Sequence, residues 1–149
     1  MMLDDARDLY QDVILRHSRA PLHAEVLDPF DAEATGDNPM CGDRCTVRLR
    51  FAADGGVARV GFQAQGCAIS LASADLMAEA VAGLGVTEIH ALARGFDALA
   101  RTGRANDPRL ATLEPLAGVC AYPSRVKCAT LPWAALIAAL DGAGETSSE

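Results

Sequence analysis

The spacing of hydrophobic positions changes along this chain, and each change marks a different element. Leu3, Ala6, Leu9, Tyr10, Val13, Ile14 and His17 recur at helical spacing, with Asp4 and Asp5 in the first turn and Pro21 beyond the end. That pattern predicts an amphipathic first helix. Leu27 to Asp37 mixes Pro29, Gly36 and acidic side chains with short apolar steps, and reads as a loop with a short edge strand. Val47, Leu49 and Phe51 then alternate with polar residues, predicting a half-buried strand from about Arg44 to Ala52. Asp54-Gly55-Gly56 is a hairpin signal, and Ala58, Val60, Phe62 and Ala64 form one face of a second strand.

Beyond Gly66 the period becomes helical. Leu71, Ala74, Met77, Ala78 and Val81 define a helix ending near Gly83. Thr87 is a good N-cap for a further helix with Ile89, Leu92, Ala93, Phe96, Leu99 and Ala100 inward, ending at Gly103. Gly103 to Arg109, with Asn106-Asp107-Pro108, reads as a linker, and Leu110 to Val119 as a short helix interrupted at Pro115. Pro132 fits only the first turn of a helix without cost, so the last helix is expected to begin near Thr130 and run to Leu140. Together these elements predict an α+β fold, a small antiparallel sheet of about three strands packed against several helices. A single domain is expected over residues 1–141, with a flexible tail from Gly142 over residues 142–149.

Composition narrows the partners. The formal net charge is -7 and the 13 Lys and Arg residues are scattered, which argues against a nucleic-acid or anionic-membrane surface. No run approaches the ~20 apolar residues that span a bilayer. The amino terminus holds Asp4, Asp5, Asp8 and Asp12 instead of a cationic signal start, so a cytoplasmic location is expected. In such a reducing setting the 5 cysteines point to metal binding, catalysis or burial before disulfides.

The cysteines fall at junctions. Asn38-Pro39-Met40-Cys41-Gly42-Asp43-Arg44-Cys45 sets two thiols and a carboxylate on alternate positions where a turn enters a strand, so Cys41, Asp43 and Cys45 share its core-facing side. Cys41 and Asp43 stand at the strand's open start, whereas Cys45 is one step further into the core. Cys67 sits where the second strand runs into a helix, and backbone N–H groups there favour its thiolate. Cys128 is expected just ahead of the last helix. Cys41, Asp43, Cys67 and Cys128 suit a tetrahedral zinc, which takes thiolate sulfur and carboxylate oxygen. Their spacing is not that of a zinc finger, so scattered core cysteines stand beside the metal reading. His17 and His23 lack a cysteine or carboxylate at ligand spacing and read as packing or capping residues. Cys45 reads as core and Cys120 as a partly buried thiol.

Three of these stretches resemble one family. Asn38-Pro39-Met40-Cys41-Gly42-Asp43, Gly66-Cys67-Ala68-Ile69-Ser70 and Arg125-Val126-Lys127-Cys128-Ala129-Thr130-Leu131 are similar to the three cysteine motifs of the IscU/SufU family of iron–sulfur cluster assembly proteins. Leu9-Tyr10, Val13-Ile14, His17 and Pro21 resemble that family's first helix, and the similarity extends from about residue 9 to 140. Two features resemble the SufU type, a zinc-dependent sulfurtransferase, more than the cluster scaffold. Lys127 stands where the scaffold has a histidine, and the long stretch between Cys67 and Cys128 resembles the SufU insertion. The resemblance implies one Zn2+ per chain held by Cys41, Asp43, Cys67 and Cys128, with Cys41 the sulfur acceptor. Arg125 and Lys127 would supply compensating charge beside the anionic ligand set. It further implies a SufS-type pyridoxal-phosphate cysteine desulfurase as donor, whose docking displaces Cys41, and a SufBCD-type scaffold as recipient. The alternative it carries is an IscU-like scaffold on which an iron–sulfur cluster is built.

Overall fold

A computed structural model of the chain describes residues 12–39, 42–105 and 107–147. Within these, the chain runs α1 (Asp12–Arg19), β1 (Ala32–Asn38), β2 (Asp43–Phe51), β3 (Val57–Gln65), α2 (Ala68–Val81), α3 (Val86–Thr102), a stretch of 3₁₀ turns (Pro108–Ala121), α4 (Pro123–Asp141) and β4 (Glu145–Ser147). The amino-terminal part of the first predicted helix lies outside the described residues. The architecture is the expected α+β arrangement, three antiparallel strands packed against helices.

The sheet has the order β3-β2-β1-β4, with β1 and β3 antiparallel to β2 and the short β4 parallel to β1. The segment expected to be largely loop between Leu27 and Asp37 therefore contributes an inner strand from Ala32. Its residues are poor strand formers, but seven of them pair in register with β2 and bury Ala34, Gly36 and Asn38 on one face. Partner pairing and burial override weak local preference in a sheet. On β2, Asp43, Cys45, Val47 and Leu49 face inward in strict alternation, as read from the sequence, but Phe51, expected to continue the pattern, is exposed where the pairing with β3 slips. On β3 the expected face shifts at its start: Val57 is buried and Ala58 exposed, because the β2 pairing slips at Arg50 and Phe51. A bulge of this kind adds one residue to one strand and so reverses which side chains face the core.

Helix α2 lies at the centre of the molecule. Its buried residues include Ile69, Ala72, Leu76, Met77 and Val81, and also Ser70, Ser73 and Asp75. A helix buried around most of its circumference loses the amphipathic signature of a surface helix. Asp75 is fully buried and accepts from His23 N–H at 2.8 Å, while its other oxygen meets His17 Nδ1 at 2.5 Å. His17 is thus a packing residue that ties α1 to α2.

Four further expectations are corrected. Helix α3 is capped at Gly85, not Thr87; the Glu88 carboxylate accepts the Gly85 N–H at 3.1 Å, closing the first turn. The short helix around Pro115 is a run of 3₁₀ turns, and its buried residues Leu110, Leu113, Leu116 and Val119 recur every third position, the repeat of that tighter helix. Cys120 falls one step beyond this stripe and is exposed, not partly buried. The last helix begins at Pro123, not near Thr130, so Pro132 lies inside it. Pro123 is itself a good first-turn residue, and the sequence therefore offered two starts. Pro132 has no N–H for the carbonyl four residues earlier, that of Cys128, and its ring crowds that carbonyl. Cys128 consequently sits in the second turn of α4, beside a locally weakened helical ladder. The Ser73 hydroxyl bonds the next carbonyl, Ala129 O, at 2.5 Å, and so clamps α2 to α4 there.

Candidate metal centre

Three elements converge at one corner of the sheet. The first residue of β2 brings Asp43, the residue capping α2 brings Cys67, and the second turn of α4 brings Cys128. Ligand atoms of these three side chains lie within 4.8 Å of one another. For zinc with metal–sulfur bonds of about 2.3 Å, tetrahedral geometry places neighbouring sulfurs about 3.8 Å apart. The cluster has the size such an ion requires, and its donors, two thiols and a carboxylate, are ones zinc accepts. Asp43 is 3% exposed and Cys128 0%, whereas Cys67 is half-buried. A ligand set of this kind is held from within and open on one side.

Each position has a local cause. Gly66, at φ +156°, carries the chain from β3 into α2, and a Cβ added there would stand 2.4 Å from Asp43 Oδ1. Asp43 is short and enclosed, so nothing but glycine leaves its carboxylate this space. The carboxylate in turn accepts the Cys67 N–H at 3.3 Å, and its other oxygen lies 4.0 Å from Cys67 Sγ. Asp43 therefore fixes the N-terminus of α2 while facing the cluster.

The electrostatics divide the two thiols. The Cys67 thiol is pushed down to about 6, chiefly by the hydrogen bond from the Cys128 thiol; burial opposes this, and the N–H groups of Ser70 and Ile69 at the helix start reinforce it. The Cys128 thiol moves up, first because it donates to Cys67 and then because it is buried beside Asp43. The two shifts run in opposite directions, which favours Cys67 as the thiolate of the pair. Cys45 is deep in the core, its thiol raised to about 12 by burial, and stands outside the cluster. That agrees with its reading as a core residue.

One feature of the surroundings was not anticipated from the sequence. Asn38, the last residue of β1, pairs with Asp43 across the ladder, is fully buried, and among the described residues has no partner for its amide nitrogen or its oxygen. A buried unpartnered amide costs about 1–3 kcal/mol per lost partner. Its place beside Asp43 fits a position completed only when the neighbouring site is filled. The turn that follows is closed by Gly42 N–H bonding Asn38 O at 2.8 Å. Cys41 lies outside the described residues, so the fourth expected ligand has no described position. Arg125 is half-buried and Lys127 exposed, three residues and one residue before Cys128 on α4.

Residues 9–129 match the family model described as the NifU-like N terminal domain. A protein of Streptococcus pyogenes serotype M1 named iron-sulfur cluster assembly scaffold protein IscU is 38% identical, over 91% of this chain and 85% of its own length. The zinc-dependent sulfurtransferase SufU of Bacillus subtilis is 35% identical, over 86% of each chain. Among solved structures, a putative iron-sulfur cluster assembly scaffold protein for the SUF system from Fervidobacterium islandicum superposes with a TM-score of 0.84 at 27% identity, covering 91% of this chain and 98% of that one. The N-terminal part of a nitrogen-fixing NifU-like protein from Brucella abortus gives 0.85 at 25% identity, covering 94% and 97%.

Proposed function

Since the chain belongs to the NifU-like N-terminal domain family, the group that includes the IscU and SufU proteins of iron–sulfur cluster assembly, we propose that it is a zinc-dependent sulfurtransferase of the SufU type. It would accept sulfur from a SufS-type cysteine desulfurase and relay it to a SufBCD-type scaffold. The observation that carries this reading is the cluster of Asp43, Cys67 and Cys128 within 4.8 Å. Cys41 completes the set in this proposal, because the turn from Asn38 to Gly42 leads directly into Asp43. Zinc bound by these four side chains would hold the thiolates deprotonated and draw β2, α2 and α4 together.

The division of labour follows from the elements. Cys67 at the cap of α2 and Cys128 in the second turn of α4 are fixed by helices packed in the core, whereas the sequence around Cys41, with Asn38-Pro39 before it and Gly42 after it, is turn-forming. The Cys41 thiolate attacks the outer sulfur of the desulfurase persulfide; a Cys41 S–S bond forms, the desulfurase S–S bond breaks, and the desulfurase thiolate leaves with the electron pair. In this proposal Arg125 and Lys127, three residues and one residue before Cys128 on α4, would offset the negative charge of three thiolates and a carboxylate.

Cys41→Ala tests this directly. The variant is expected to bind the desulfurase yet give no stimulation of its alanine production, and unchanged stimulation would overturn the proposal. The second reading, a scaffold carrying an iron–sulfur cluster on the same side chains, rests on the relatives of that name. Anaerobic reconstitution distinguishes them: a stable, transferable [2Fe–2S] spectrum supports the scaffold, whereas zinc at one per chain in the purified protein supports the sulfurtransferase.

A further inference from the structure

Among the described residues, buried side-chain polar atoms without a partner occur at Asn38, Ser70 and Trp133. Two of these adjoin the candidate metal centre. Asn38 stands directly across the ladder of β1 and β2 from Asp43, and Ser70 follows Cys67 by three residues in the first turn of α2. Unpartnered groups of this kind are rare in a folded chain, and a neighbouring ion site is one cause of them.

Asn38 is the more informative of the two. Residues directly opposed in an antiparallel pair project to the same face, with Cβ atoms about 4.5–5.5 Å apart. Asn38 and Asp43 are 0% and 3% exposed, so the amide and the carboxylate share one enclosed space. They do not bond each other: the carboxylate accepts the Cys67 N–H at 3.3 Å, and the amide is left over. Strand pairing would be served better by a β-branched or apolar residue, since asparagine is a poor strand former. An amide here therefore costs stability and contributes no side-chain hydrogen bond to the fold. Its chemistry suits the cluster instead. The amide N–H is a neutral donor, and a carboxylate that binds a cation is normally oriented by a hydrogen bond from such a group. Lysine or arginine at this position would repel the ion.

We propose that Asn38 is a positioning residue of the metal centre, its side-chain N–H reserved for the Asp43 carboxylate when that carboxylate holds the ion. The inference rests on the reading of Asp43, Cys67 and Cys128 as metal ligands, and it gives Asn38 no contact with the ion itself.

Asn38→Leu separates this role from a structural one, because the metal-free and metal-loaded forms should respond differently. Without metal, removal of an unpartnered amide is expected to leave Tm equal to or above that of wild type. Zinc affinity, measured by competition with a chromophoric chelator, should fall by about 10–100-fold, and the rise in Tm on adding Zn2+ should shrink with it. Asn38→Ala should weaken zinc over the same range, and it decides the matter if leucine is too bulky for the variant to fold. Zinc affinity equal to wild type in the folded variants would overturn the proposal and leave the metal reading standing, as when a buried water satisfies the amide. Equal losses of Tm in the metal-free and metal-loaded forms would overturn it too, since Asn38 would then serve the fold alone. Wild-type protein that takes up no zinc would overturn the metal reading and the proposal together.

Discussion

At the scale of single residues, the Cys67–Cys128 pair has a property that solution chemistry can read. In the metal-free protein Cys67 is pushed down to about 6 because the Cys128 thiol donates to it. A thiol with a lowered value becomes thiolate as pH rises through that lower value, so its reactivity is already present at neutral pH and is lost in acid. Alkylation of Cys67 by iodoacetamide, followed by mass spectrometry of the apo protein, should therefore show a midpoint near 6, far below the 9.0 of an unperturbed thiol. Cys128→Ala removes the donor, and the midpoint should move upward; a midpoint that stays put would mean the helix start alone holds the thiolate. The sequence placed Cys67 at this helix start correctly, because Gly66 and the change from alternating to helical period mark the junction. It could not show Cys128 as the hydrogen-bond donor, since 61 positions separate the two and only the packing of α2 on α4 joins them. Nor did it reveal the unpartnered Asn38 amide, whose isolation is a property of its buried surroundings.

At the scale of elements, what holds α1 and the loop after it to the centre is a buried carboxylate. Asp75 on α2 meets His17 from α1 and the backbone N–H of His23 from the loop. Removing the buried carboxylate leaves both the His17 ring nitrogen and the His23 N–H without their partner, at about 1–3 kcal/mol each. Asp75→Ala is therefore expected to lower unfolding stability by about 3 kcal/mol in urea titrations. Asp75→Asn keeps an oxygen for His23 N–H and should lose about half as much. Equal, negligible losses in both variants would show that the contact between α1 and α2 rests on Ile14 and its apolar neighbours instead. This pairing was hidden because a lone aspartate in an apolar helix reads as a solvent-facing residue. Elements with strong period were legible, notably β2, α2 and α3. Those that failed, β1 and the start of α4, are ones where tertiary pairing or a choice between two prolines decided the outcome.

At the scale of the whole molecule, Asp43, Cys67 and Cys128 join three elements that are far apart in sequence, so a metal bound there acts as a cross-link that the unfolded chain lacks. A ligand present at 100 times its Kd stabilises the folded state by about 2.7 kcal/mol. In a chain of this size each kcal/mol moves Tm by about 2–4 °C, so a strong chelator should lower Tm by about 5–10 °C. The loss should be uneven. The opposite half of the molecule, where α3 packs on the 3₁₀ turns through Leu92, Phe96, Leu110 and Leu113, contributes none of the cluster's three described side chains. Hydrogen exchange after chelation should accordingly rise at the start of β2, the first turn of α2 and the second turn of α4, and stay low in α3. Uniform loss of protection across both halves would mean that the ion is a condition of the entire fold. Unchanged protection at the three ligand-bearing segments would mean that those side chains do not hold it.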